Sequence, residues 1–175
     1  MSAHTDWTNS ILDILSRVDE SCVHYLRSHR TKIGVRRLPA SAGAIWWFID
    51  RNIYFNSRYY SLQTAPNDPH LLSLMVHEVR HLQQGFFTAL SIYGELDAWQ
   101  LGFQIYQYLT GQLPLGRGSR PQTAVLEIMS LPLNLDRQVL RRAQILMQDY
   151  AGKGYRSDLL PLYPLGKEIK YWLKK

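Results

Sequence analysis

Apolar residues recur at helical spacing from residue 6 to residue 30, at Trp7, Ile11, Ile14, Leu15, Val18, Cys22, Tyr25 and Leu26. The pattern predicts an N-terminal amphipathic helix within residues 1–31. The rhythm then changes. TKIGVRRLP holds a short strand-like run closed by Pro39, SAG interrupts it, and AIWWFID and NIYFNSRYYSLQ follow, rich in strand formers. A turn at Asp50-Arg51-Asn52 joins the last two. Residues 32–63 are therefore expected to form a small antiparallel sheet of about three strands.

Helical spacing returns after TAPNDPH. Asp68 suits an N-cap and Pro69 a first helical position, and the helix is expected to run to about Gly85. A second helix is expected from near Ser91 to about Thr110, with the corner of the hairpin near Thr88. GQLPLGRGSRP, residues 111–121, reads as a Gly/Pro-rich loop. A short helix over 122–131 follows. Another is expected from a cap at Asn134 to about Tyr150, with Leu135, Val139, Ala143, Leu146, Met147 and Tyr150 on one face. The tail suggests a short basic helix. The fold class is α+β: an N-terminal helix, a small sheet, and a mostly helical remainder (metal-site hairpin 68–110, helical C-terminal part 111–175). The length of 175 residues suits one domain.

Composition narrows the chemistry. A single cysteine, Cys22, excludes an internal disulfide framework and any multi-cysteine metal site. The opening MSAHTDWTNS lacks a basic and apolar leader pattern, and no apolar run reaches membrane-spanning length. A cytoplasmic protein with no membrane partner is expected. The net charge of +6 is uneven. Residues 41–110 carry five acidic and three basic groups and are the one net acidic block, which favours a bound cation. Residues 111–175 carry eleven basic and five acidic groups.

LMVHEVRHLQQG, residues 74–85, holds His-Glu-x-x-His. His77 and His81, four apart, share one helix face, so both imidazoles can reach one zinc ion. Glu78 is rotated from His77 by about 100°. It would sit beside the ion, where a general base is needed. His70 is about 10 Å away along the axis and cannot share the ion; it reads as a first-turn surface group. The third ligand is expected from YGELDAW, residues 93–99. His81 and Glu95 are equidistant from a corner at Thr88, so the two helix rises cancel and Glu95 returns to the level of the histidines. Ala98 and Gly102 lie on the same face and allow close approach. Asp97 points away by about 200° and suits either a hydrogen bond to an imidazole N–H from behind or simply the solvent face.

HEVRH followed by ELDA resembles the gluzincin branch of zinc metallopeptidases over about residues 43–110. In that branch the second helix supplies a glutamate ligand, often in Glu-x-x-Ala. The resemblance implies His77, His81 and Glu95 as ligands of one zinc ion and Glu78 as catalytic base. It also implies an extended peptide or protein substrate paired with a strand edge in residues 44–61, where Trp46, Trp47, Tyr59 and Tyr60 could shape pockets. The longer metzincin signature needs Gly at 84 and His at 87, where this chain has Gln84 and Phe87. Arg80 stands where metallopeptidases usually have an uncharged residue, and thirteen residues separate His81 from Glu95. The expected function is a zinc-dependent hydrolase. One alternative is a catalytically inactive zincin-like metal-binding or interaction protein. Another is a basic module for nucleic acid or an acidic partner, carried by Arg36, Arg37, Arg117, Arg120, Arg137, Arg141, Arg142, Lys174 and Lys175, although no nucleic-acid motif accompanies them.

Overall fold

The computed structural model describes residues 3–152 and 154–172. Helices α1 (Ala3–Leu15) and α2 (Glu20–Ser28) replace the single helix expected over 6–30. The Asp19 side chain accepts the Cys22 N–H at 3.0 Å and starts α2 afresh. Both helices bury their apolar face in one core, so the periodicity runs through the break.

Strands β1 (Ile33–Arg36), β2 (Ala44–Trp47) and β3 (Asn52–Asn56) form the small sheet, in the order β1-β3-β2. β2 is antiparallel to β3, as expected, whereas β1 is parallel to it, so the sheet is mixed. β3 takes the centre because Ile53 and Phe55 are wholly buried. The connection from β1 must then cross over. The buried Asn56 holds it, with Nδ2 donating to the Pro39 and Ala42 carbonyls at 2.9 and 2.7 Å. This order leaves β2 as an edge strand.

Helix α3 (Pro69–Gln84) starts where expected, with the Asp68 side chain accepting the Leu71 N–H at 2.9 Å. Gly85, at φ 74°, ends it in a conformation that favours glycine. The short α4 (Phe86–Ala89) turns the corner, and Ser91 caps α5 (Ile92–Thr110) by accepting the Gly94 N–H at 3.0 Å. A Cβ on Gly94 would lie 2.1 Å from the Thr88 carbonyl oxygen. Gly94→Ala is therefore expected to force the corner open and cost about 3 kcal/mol, measured by urea unfolding.

Helices α6 (Pro121–Ser130) and α7 (Arg137–Ala151) follow, then a 3₁₀ turn (Ser157–Leu159) and α8 (Leu165–Trp172). The cap of α7 is Asp136 and not Asn134. Asp136 accepts from the Gln138 and Val139 N–H groups, while Asn134 accepts the N–H of Asp136. Lys174 and Lys175 lie outside the described residues. One core gathers around the sheet, α1, α2 and α3; a second joins α5, α6 and α7. Helix α5 serves both, giving Ile105 to the first and Leu96, Trp99 and Phe103 to the second. No helix among the described residues is long and apolar enough to cross a membrane.

Candidate metal centre

The α3–α4–α5 hairpin brings His77, His81 and Glu95 together. One ligand atom from each lies within 4.8 Å of the others. The two Nε2 atoms are 3.0 Å apart. Glu95 Oε1 is 3.5 Å from His81 Nε2, and Oε2 is 3.8 Å from His77 Nε2. A tetrahedral zinc site with bonds of about 2.0–2.1 Å has donor atoms about 3.3 Å apart. The observed spacings bracket that value. Close packing of the helices makes this possible: a Cβ on Gly102 would come within 3.3 Å of the Ser73 carbonyl oxygen, and Ala98 is fully buried.

The hydrogen bonds behind the imidazoles say which atoms face the centre. Gln84 Nε2 donates to the Gly94 carbonyl and to Asp97 Oδ2, at 2.9 and 2.7 Å. Its Oε1 is then the atom facing His81 Nδ1 at 3.2 Å, and an oxygen there can only accept. His81 Nδ1 therefore carries the proton, and Nε2 presents a lone pair. His77 makes a hydrogen bond with the Ala98 backbone that favours the protonated ring, as an N–H donated to a carbonyl does. With that N–H assigned to Nδ1, the His77 Nε2, 3.0 Å from His81 Nε2, is an acceptor as well. Two lone pairs and a carboxylate thus converge in a mostly buried space. A cation satisfies all three at once, which fits the donor set to zinc.

Glu78 lies beside this group and is buried. Burial pushes its carboxyl up to about 8, the charge on Glu95 adds to the rise, and a hydrogen bond from the Trp46 backbone opposes it. His77 is held well below the usual histidine range, first by burial and then by His81. Both shifts mark sites where charge of one sign is crowded and dry.

Asp97 does not reach an imidazole. It stands one residue further out than expected, and Gln84 makes the contact instead. Asp97 also receives a two-pronged ion pair from Arg80, at 2.7 and 3.2 Å. This accounts for the arginine inside the motif: Arg80 points away from the centre and braces the carboxylate that orients Gln84. Gln84→Leu is expected to lower zinc affinity by about 10–100-fold without unfolding the chain, read by competition with a chromophoric chelator.

Two further residues hold Glu95. Tyr155 Oη donates to Oε2 at 2.5 Å, and the Trp99 indole N–H donates to the same oxygen at 2.9 Å. With Oε2 held by these donors, Oε1 is left freer to meet a cation, were one bound. Trp99 follows Glu95 by four residues, so its proximity was legible in helical spacing. Tyr155 is sixty residues away, from a segment with no motif, and nothing in the sequence points to it.

The centre opens into a cleft of about 830 Å³. Ala44, Ile45 and Trp46 of the edge strand form one wall. The Gly43 carbonyl accepts the Asn56 N–H, so the alternation of an antiparallel pair turns the backbone groups of Ala44 and Trp46 away from β3 and toward the cleft. Tyr59 and Tyr60 line the cleft with Trp46; Trp47 does not. His70 is exposed, lies against Tyr106 with the rings tilted by 46°, and stays outside the ligand set. Arg117 reaches across the mouth, its guanidinium donating to Tyr59 Oη at 3.0 Å. Of the other arginines, Arg120 pairs with Asp149 and Arg142 with Glu127. The chain matches no protein-family model, no curated protein and no solved structure.

Proposed function

We propose that this protein is a zinc-dependent hydrolase that cleaves a peptide bond in an extended substrate. The observation that carries the reading is the convergence of the His77 and His81 lone pairs with the Glu95 carboxylate, beside a buried carboxyl that is not needed to hold an ion. A bound zinc would polarise a water molecule and the substrate carbonyl. Glu78 is placed to take the proton from the attacking water and return it to the leaving amine. The outward backbone groups of Ala44 and the outward carbonyl of Trp46, whose N–H faces Glu78, can pair with a substrate strand and hold it across the centre. Gln84, Asp97, Tyr155 and Trp99 keep the ligands in place.

Metal analysis of the purified chain is expected to find one zinc per molecule. A mixed peptide library is expected to be cut, with cleavage stopped by chelation and restored by zinc. A chain that refuses zinc removes the whole reading. A chain that holds zinc but cuts nothing in the library favours the inactive metal-binding alternative.

A further inference from the structure

The sheet topology sets an exposed apolar cluster among unpaired cations. β1 runs parallel to β3 and β2 runs against it, so the start of β1, the start of β3 and the end of β2 meet at one end of the sheet. The end of β2 and the turn after it carry Trp47, Phe48 and Ile49, which are 41%, 48% and 72% exposed. The α4 corner adds Phe86 and Phe87, 36% and 59% exposed. The two tips touch, with the Phe48 and Phe86 rings 4.6 Å apart. Five large apolar side chains thus form one patch on two neighbouring projections. Such a patch marks an interaction surface.

The charges around it give the partner's sign. Arg30 and Lys32 precede β1, Arg51 precedes β3, and the Lys32 N–H donates to Asn52 Oδ1, tying these segments together. Helix α8 packs against α4 and brings Lys167 and Lys170. All five cations are exposed, and none lies within ion-pair distance of a described carboxylate. The acidic groups on these same segments are Asp50, which accepts from Tyr54 Oη and the Asn52 N–H, and Glu168. We propose that this end of the molecule docks on an anionic lipid surface, with Trp47, Phe48, Ile49, Phe86 and Phe87 entering the interface and the lysines and arginines meeting the headgroups.

Aromatic tips with a basic surround are the chemistry of a surface-lying protein, which needs no spanning helix. The expectation of no membrane partner was drawn from the lack of a spanning run, a criterion blind to a patch built from separate tips. The patch adjoins β2, so docking would set the cleft wall close to the bilayer.

Vesicle flotation of the full chain tests this. Binding is expected to phosphatidylcholine vesicles containing about 30 mol% phosphatidylglycerol, and little to pure phosphatidylcholine. Raising the salt from about 0.1 to 0.5 M is expected to weaken it. The double variant Ile49→Ser/Phe87→Ser, and the triple variant Arg30→Glu/Lys32→Glu/Arg51→Glu, are each expected to bind at least about tenfold more weakly with unchanged circular dichroism. Glu78→Gln protein is expected to bind as the parent does, so failure of the hydrolase reading leaves this one standing. Absence of flotation, equal binding to neutral vesicles, or parent-like binding by either variant overturns the proposal. So does a dimer that both variants dissociate, which would assign the patch to a second copy of the chain.

Discussion

Glu78→Gln is expected to keep its zinc and lose hydrolysis by about 10²–10⁴-fold, the range spanned by a positioned general base. Steady-state cleavage of a substrate from the peptide library, with zinc content measured on the same sample, checks it. Glutamine has nearly the shape of glutamate and can occupy the same buried space, but it cannot accept a proton at neutral pH. Retained zinc with lost activity separates a base from a ligand. Retained activity removes Glu78 from the mechanism.

The same substitution has a stability signature in zinc-free protein. Below about pH 4.5 Glu78 is protonated in both the folded and unfolded chain. Between 4.5 and about 8 the unfolded chain ionises while the folded one resists, because its carboxyl is buried near Glu95. Its folded pKa is raised, so the stability it contributes is present at low pH and is lost as pH rises through that window. Glutamine has no such loss. The Glu78→Gln chain is expected to overtake the parent in stability above about pH 8, by on the order of a few kcal/mol, in urea titrations with chelator. Added zinc is expected to narrow the difference, because a nearby cation favours the carboxylate. His77 acts in the opposite direction. Its folded pKa is lowered below 6.5, so stability present above that value falls as pH drops through it.

His81→Ala and Glu95→Ala are each expected to lower zinc affinity by more than about a hundredfold, beyond the effect of losing an outer hydrogen bond. Chelator competition and metal analysis read this directly. Removing either ligand leaves two donors, too few for a closed set around zinc. Asp97→Ala is the control that distinguishes the two carboxylates of ELDA. It should retain measurable zinc, with weaker affinity because Gln84 loses its brace and Arg80 its partner. If Asp97→Ala lost all zinc while Glu95→Ala kept it, the ligand assignment would be reversed.

Much of the centre was legible in the chain because it is built from one helical hairpin. Helical spacing puts His77 and His81 on one face, and the equal distances of His81 and Glu95 from the corner put the third carboxylate opposite them. The caps Asp68 and Ser91, with Gly85 between the helices, set those distances locally. Local rules of this kind are written in sequence because they act within a few residues.

What the sequence could not decide depends on contacts between distant segments. Periodicity carried one helix through residues 16–19 because α1 and α2 face the same core, and only the Asp19 hydrogen bond marks the break. The central place of β3, and hence the parallel pairing of β1, follows from which strand the core buries and from Asn56 holding the crossing loop. Arg80 looked out of place in its motif until folding brought Asp97 to it across the hairpin. Tyr155 reaches Glu95 from the far end of the chain. The periods of helix and strand come from the covalent chain, so residue spacing alone can specify a face. A partner sixty residues away is selected by packing, which no spacing encodes.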